Sequence, residues 1–380
     1  MIQNKKGKYI MSKLEELIKK LCPKGVEYKK LQELCNTITT GKLNANAMNE
    51  DGKYPFFTCD SKPSKINEYA FDEEAILISG NGSQVGHINY YKGKFNAYQR
   101  TYILYDFNKI KVKYLLHYLG AYLKGYILIN SKKGSVPYIT LPILQNFKVP
   151  VPPIEVQNEI VRILDNFKEL EAELKAESKA RKTQYEYYRE LFYIFDESIP
   201  RKKIIDIANV SRGKRVTKKD LSEIDKYPVF QNSLPAMGYY NQFNYTANKT
   251  YIISAGAAGE IGFCKEDFWA ADDCLVISEV DGITNKFIYY YLLSKQLYIK
   301  ANVRKASIPR LSRTIIENIE IPLPPLGEQK RIVSILDRFD KLCNDISEGL
   351  PAEIEARRKQ YEYYRDKLLN FKELKVENKE

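Results

Sequence analysis

The sequence predicts an α+β protein built twice, as two α/β globular domains each followed by a long helix. Three observations lead there. A stretch of about twenty residues recurs 172 positions further on, each recurrence carries apolar residues at helical spacing, and the chain ahead of each is rich in short β-branched or aromatic runs. Residues 150–170 and 322–342 are identical at 11 of 21 positions. Among the matches, Pro152, Pro153, Gln157, Ile160, Ile163 and Asp165 answer to Pro324, Pro325, Gln329, Ile332, Ile335 and Asp337. The hexapeptide Gln184 to Arg189 returns unchanged as Gln360 to Arg365, at an offset of 176. Weaker matches extend upstream, pairing Lys132–Pro137 with Arg304–Pro309, Lys53–Phe57 with Lys226–Phe230, and Ile78 and Ser79 with Ile253 and Ser254.

The expected order is a first globular domain over residues 1–150, a helical spacer over 151–195, a second globular domain over 196–322, and a second spacer with a tail over 323–380. In the first domain Ala75–Ser79 and Arg100–Tyr105 read as strands, because they are β-branched or aromatic and bounded by Gly, Asn or Asp. Tyr114–Lys124 reads as a short amphipathic helix. Paired prolines then stop the preceding element and suit a first helical turn. The spacer that follows would extend about 60 Å if helical throughout. Its seam residues are Ile160, Ile163, Phe167, Leu170 and Leu174, spaced alternately by three and four. The second domain repeats the plan with strands at Thr250–Ser254 and Cys274–Ser278 and a helix at Lys286–Lys295. Its seam is Ile332, Ile335, Phe339, Leu342 and Ile346, after which Gly349 and Pro351 mark a one-turn stutter or a break between two helices. A single apolar seam needs a partner helix, and the other copy is the nearest one.

The formal charge is +12, and +11 of it falls on residues 1–154, which suggests a polyanion partner for the globular parts. The spacers are close to neutral, which suits protein contacts. Six cysteines without a C-x-x-C pair, and only two histidines, argue against a structural zinc site or a disulfide framework and fit a reducing cytoplasm. The lysine-studded N-terminus has no apolar leader, and His117 and Lys124 interrupt the most apolar stretch, so neither secretion nor a membrane span is expected.

No catalytic constellation emerges. Gly80, Asn81 and Gly82 followed by Gly86 miss the dinucleotide spacing by one residue and precede no helical pattern, so they read as a strand turn. No Gly-Lys pair is followed by Ser or Thr, which rules out a phosphate-binding loop. The residues before Pro152 and Pro324 are Val151 and Leu323, which cannot accept hydrogen bonds as an amino-methyltransferase loop requires. Glu173 and Lys175 have a nuclease-like spacing but lie inside the predicted coil, and His87 and His117 lack a nucleophile beside them. No cofactor and no metal is expected.

The two Pro-Pro-x-x-Glu-Gln helix starts, each running on into Ile-Val-x-Ile-Leu-Asp after a variable domain, resemble the DNA-specificity subunit of type I restriction-modification enzymes over nearly the whole chain. Pro324, Pro325, Glu328 and Gln329 carry the motif fully, whereas Val156 stands where the family has Glu. The resemblance implies two target-recognition domains joined by an antiparallel coiled coil with pseudo-two-fold symmetry. It also implies a non-catalytic subunit whose helices hold two methyltransferase subunits that modify adenine, with restriction-translocase subunits joining the full complex. Each domain would read one half of a split, asymmetric site in double-stranded DNA, in successive major grooves about 34 Å apart. The alternative is a coiled-coil scaffold, or a stand-alone DNA-binding protein without such partners.

Candidate DNA contacts are polar residues in loops that align between copies yet differ in detail. In the first domain these are Lys42, Asn44, Asn46, Asn81, Gln84, Gln99, Arg100, Lys132, Lys133 and Ser135. In the second they are Arg212, Lys214, Arg215, Arg304, Lys305 and Ser307.

Overall fold

The structure, a computed structural model, describes residues 13–130 and 138–374. They form two compact units that are not consecutive blocks of sequence: the described residues up to 173 with 355–374, and residues 174–354.

The first unit begins with helix α1 (13–21), β1 (Glu27–Lys30), the single turn α2 (Leu31–Leu34) and β2 (Cys35–Thr40). There follow β3 (Tyr54–Phe57), β4 (Ser64–Ile66), β5 (Phe71–Ser79), β6 (Ile88–Ala97), β7 (Thr101–Phe107), α3 (Val112–Asn130), α4 (Leu141–Gln145) and β8 (Lys148–Val151). Six strands make one sheet in the order β2-β7-β5-β6-β3-β4, antiparallel except for β3 against β6. Strand β5 is central, and its alternation shows why it must be: Ile76 and Ile78 face the core under α3, while Ala75 and Leu77 face a second cluster with Phe57, Phe95 and Ile103. Helix α3 supplies Tyr114, Leu115, Leu119, Leu123 and Ile127 to the larger core.

The second unit repeats the plan with β9 (Arg201–Lys203), β10 (Asn209–Arg212), β11 (Tyr227–Phe230), β12 (Gly238–Tyr240), β13 (Lys249–Ile253), β14 (Ile261–Cys264), β15 (Trp269–Ala270) and β16 (Cys274–Ser278). The sheet order β10-β16-β13-β14 matches β2-β7-β5-β6. Here the counterpart of β6 is interrupted, so β12-β11-β15 forms a separate sheet that keeps the parallel pairing of β11 with β15. Ile252, Leu275 and Ile277 face the core containing Phe287 and Ile288 of α6 (Asn285–Ser294), and Tyr251, Ile253 and Val276 face the other cluster. Two short helices, α7 (Gln296–Ala301) and α8 (Arg313–Glu317), lead to β17 (Glu320–Pro322), which pairs with β9 as β8 pairs with β1.

The retained segments are helices: α5 (Ile154–Leu191), α9 (Leu326–Asn344) and α10 (Leu350–Leu369). The first half of α5 belongs to the first unit and the second half to the other. The extra residues of the second copy are a break, in which Asp345 Oδ1 accepts from the backbone N–H groups of Ser347 and Glu348.

The apolar seam holds only in part. Ile160 and Ile163 are buried in the first core with Leu368, Leu369 and Phe371, and Ile332 is buried in the second. Leu174 and Ile335 are half-buried. Phe167 stacks on Tyr364 at 5.3 Å within the first unit, and Phe339 stacks on Tyr188 at 5.6 Å and on Tyr185 within the second. The ring partners therefore come from the repeated hexapeptide of the other copy, not from Phe167 meeting Phe339. Leu170 and Leu342 are 45% and 39% exposed, and Ile346 is 86% exposed in the turn after α9, so the seam does not extend to them. At Ile346 the physical reason is that α9 ends at Asn344, so the helical spacing of the seam does not carry past it.

A buried amide fastens each retained helix to its domain. Gln157 Nε2 donates to the Pro152 carbonyl at 2.8 Å, and its Oε1 accepts from Lys111 N–H at 2.8 Å. Gln329 does the same with the Pro324 carbonyl at 2.9 Å and Thr284 N–H at 2.8 Å, and each amide also donates to the carbonyl two residues before that N–H, Lys109 at 3.4 Å and Gly282 at 3.0 Å. Both glutamines are fully buried. By contrast, Glu328 is partly exposed and pairs with Arg331 at 2.6 Å, while Val156 at the matching position is buried in the first core. The motif's glutamate and glutamine thus have separate jobs, and only the second is kept in both copies.

About two turns further along each helix, Asp165 receives Lys113 Nζ and His117 Nε2, both at 2.9 Å, and Asp337 receives Lys286 Nζ and the Tyr290 hydroxyl. His117 and Tyr290 are equivalent by position. Burial, then the Lys168 charge, pushes the His117 pKa below 6.5 despite Asp165. Its Nδ1 is buried without a hydrogen-bond partner among the described residues, so a second ring proton would find no acceptor.

Two outcomes follow. Gln329→Leu leaves buried donors and acceptors unpaired and should cost on the order of 3 kcal/mol in urea unfolding, whereas Glu328→Gln should change stability by less than about 1 kcal/mol. Equal effects would show that the buried amide is not the fastening. For His117, the unfolded chain takes up a proton near pH 6.5 that the folded chain resists, so stability is present above that pH and declines as pH falls through it. His117→Tyr imports the second unit's solution and should flatten the fall in melting temperature between about pH 7.5 and about pH 5. An unaltered slope would assign the pH dependence elsewhere.

Candidate nucleic-acid interface

In the first unit the ends of β2 and β5 lie beside the start of β7, since Thr40 pairs with Tyr102 and Ser79 with Thr101. Phe57 and Ala97, the ends of β3 and β6, are also paired. Loops 41–47, 58–60, 80–86 and 98–100 meet there: Gln99 N–H donates to the Leu43 carbonyl, Gly80 N–H to the Arg100 carbonyl and Cys59 Sγ to Asn81 Oδ1, and Ile139 N–H joins them by donating to the Gly80 carbonyl at 2.8 Å. A cleft of about 250 Å³ opens there among Thr40, Gly80, Gln99, Arg100, Tyr102 and Tyr138.

The second unit builds the same end with the same backbone hydrogen bonds. Gly41 N–H donates to the Thr101 carbonyl as Gly213 does to Cys274, and Tyr98 donates to Phe57 as Ala271 does to Phe230. Gly80 donates to Arg100 as Ser254 does to Asp273, and Ile139 donates to Gly80 as Leu311 does to Ser254. Both joints need glycine at the first position. A Cβ there would lie 1.8 Å from the Ala97 oxygen at Gly41 and 2.2 Å from the Ala270 oxygen at Gly213. The side chains displayed are different: Tyr98, Gln99 and Arg100 in one unit stand where Ala271, Asp272 and Asp273 stand in the other. The bridges Asn81–Tyr138 and Ala255–Arg310 make a second such contrast.

These bonds set two equivalences, the second of which corrects an alignment drawn from sequence. Lys42 is equivalent to Lys214, each following its glycine, and Ser79 is equivalent to Ile253 rather than Ser254. Residues 80–86 turn directly into β6, not into a helix, as a strand turn does.

The candidate contact residues fall as follows. Lys42, Asn44, Asn46, Gln84, Gln99 and Arg100 are exposed. Asn44 accepts from Gln99 Nε2 at 2.7 Å. Asn46 sits in a 3-10 turn (Ala45–Ala47) and Gln84 in the turn before β6. Asn81 is half-buried, and its Oδ1 accepts from Cys59 Sγ at 2.9 Å. Lys132, Lys133 and Ser135 lie outside the described residues. In the second unit Arg212, Lys214 and Arg215 are exposed at the end of β10. Arg304, Lys305 and Ser307 are exposed in a segment closed by mutual backbone bonds between Arg304 and Arg310.

Sequence reasoning missed Tyr98, Tyr138, Asp272, Asp273 and Arg310. A signal existed for Tyr138 and Arg310, which follow the matched prolines Pro137 and Pro309 and differ between copies. The carboxylates were hidden because only the strand pairing shows that they answer to Gln99 and Arg100. Asp272 Oδ1 is buried without a hydrogen-bond partner among the described residues. Those residues hold no group of three or more His, Cys, Asp or Glu side chains that could bind a metal ion, and no helix long and apolar enough to cross a membrane.

The model of the type I restriction modification DNA specificity domain matches twice, over residues 23–181 and 199–356. A Haemophilus influenzae protein described as a type I restriction enzyme specificity subunit is 30% identical over 377 residues, covering 91% of this chain and 96% of that relative. The specificity subunit of EcoR124I/EcoR124II from Escherichia coli is 31% identical over 295 residues, covering 70% of this chain and 72% of its own length. In fold, the chain is similar to the crystal structure of the S subunit of a type I restriction-modification system from M. genitalium, with a TM-score of 0.62 at 17% identity over 91% of this chain and 96% of that one. With two family domains, each ending in its retained helix, and a relative matched nearly end to end, the chain belongs to the family of type I restriction-modification specificity subunits.

Proposed function

We propose that this chain is the sequence-reading, non-catalytic subunit of a type I restriction-modification complex, and that each globular unit reads one half of a bipartite, asymmetric site in double-stranded DNA. One observation carries the reading: both units build one loop platform from the same backbone bonds, yet display different side chains on it. A platform that stays while its side chains change is what separate readers of two unlike half-sites require. Lys42, Arg100, Lys132 and Lys133 on one unit, and Arg212, Lys214, Arg215, Arg304, Lys305 and Arg310 on the other, set the register on phosphates. Asn, Gln and Tyr side chains of the same loops read base edges.

The retained helices are the proposed seat of two methyltransferase subunits, with restriction-translocase subunits completing the assembly. A surface cleft recurs beside the start of each retained helix, about 530 Å³ in the first unit and about 470 Å³ in the second. Lys111, Lys113, Asn158 and Val161 line one, and their counterparts Thr284, Lys286, Lys330 and Val333 line the other. Two like clefts on one chain suit two copies of one partner.

Methylation mapping in cells that make the complex should return one site with two unlike halves, and a single continuous motif would overturn the reading. In a salt titration with the methyltransferase subunits present, Lys214→Ala with Arg215→Ala should lower the salt slope of DNA binding by roughly one to two, as should Lys132→Ala with Lys133→Ala. A pair that leaves the slope untouched makes no phosphate contact. For the second partner surface, Lys330→Glu with Arg338→Glu should leave complexes holding one methyltransferase subunit by native mass spectrometry. Retention of two would remove that cleft.

A further inference from the structure

Asn44 and Gln99 make a hydrogen bond between two exposed side chains 55 positions apart, Gln99 Nε2 donating to Asn44 Oδ1 at 2.7 Å. The backbone fixes both ends of it. Leu43 forms a parallel bridge with Tyr98, Gln99 N–H donates to the Leu43 carbonyl at 2.9 Å, and Gly41 lets the two segments approach. The bond leaves the Gln99 carbonyl Oε1 and the Asn44 amino group free, since among the described residues neither has a further hydrogen-bond partner. One acceptor and one donor thus remain, on two side chains held to each other on the rim of the loop platform. Fixing them beforehand removes much of the ordering cost of a two-point contact.

In the major groove only one base answers that pattern. Adenine places the acceptor N7 beside the N6 donor, whereas guanine offers two acceptors, thymine an acceptor beside a methyl group, and cytosine a donor alone. We propose that the Asn44–Gln99 pair reads one adenine in the half-site of the first unit, Gln99 Oε1 accepting from N6–H and Asn44 Nδ2 donating to N7. The second unit has no such pair at the same joint. Three residues after its glycine stands Val216, buried against Val229 and Ala271, and Asp272 replaces Gln99. The effect should therefore be confined to one half of the site.

This inference rests on the DNA reading above, and the experiment separates the two. The wild-type chain assembled with its methyltransferase subunits is first mapped for its site. Absence of a bipartite site at that stage overturns the DNA reading, and the present proposal with it, before any variant is made. With the site known, duplexes carry either 7-deazaadenine or purine without its 6-amino group at each adenine in turn. One adenine, in one half only, should lose about 5- to 150-fold in affinity with either analogue. At that position the 6-amino deletion should cost nothing further for Gln99→Ala, and the 7-deaza change nothing further for Asn44→Ala, with the other half-site unaltered. The proposal is overturned if no adenine responds to both analogues, if the variants weaken every sequence alike, or if the position they relax is a G·C pair. Should either variant fail to assemble, the analogue series on the wild-type complex decides alone.

Discussion

Each retained helix must be held at a defined angle on a domain whose surface was free to change, and a buried side-chain amide meets that constraint. Gln157 and Gln329 reach out of the first helical turn and bind backbone groups only, the carbonyl of the preceding proline and an N–H ahead of α3 or α6. A contact made to backbone does not depend on which side chains the domain carries. It is also costly to break, because the groups it satisfies are away from water. The aspartate about two turns further on reinforces the same junction, and there the copies do differ: a histidine beside a lysine in one, a tyrosine beside a lysine in the other. The amide needs the same partner everywhere, whereas the carboxylate accepts any donor of the right reach.

The opposite end of each domain obeys the complementary rule. Loops leave the sheet where five strand ends and starts converge, and their course is set by backbone bonds and by one glycine at a close approach. Side chains on that platform carry little of the folding energy, so Gln99 can stand where Asp272 stands without disturbing the sheet beneath. Separating what holds the fold from what is displayed allows two platforms with one skeleton to present unlike chemistry.

Much of this was legible before any coordinates. The duplication, the long first helix, the four central strands and the helices α3 and α6 follow from identity at a fixed offset and from periodicities of two and of three to four. The lower limit of legibility is equally physical. Heptad spacing says which face of a helix is apolar but not what meets it, so it placed Phe167 and Phe339 in a seam without showing that their rings rest on Tyr364 and on Tyr185 and Tyr188. Nor does spacing reveal where a seam ends, as Ile346 shows. At the loop platform the equivalence of Gln99 with Asp272 is written in hydrogen bonds between backbone groups, which leave no trace in residue identity. The amides Gln157 and Gln329 were visible as matched residues, yet their burial was not, since glutamine on a helix is ordinarily solvated.

The segment ahead of β1 has a further consequence. In the first unit Val26 N–H donates to the Lys372 carbonyl and Leu374 N–H donates back to Val26, which brings residues near both extremes of the numbering side by side. In the second unit the corresponding stretch, from Phe195 through Pro200 into β9, is unbroken chain. The first unit thus closes with two backbone hydrogen bonds a joint that the second unit closes with covalent chain. Hydrogen bonds can part where a peptide bond cannot, so the first unit can open at this joint without its chain being cut.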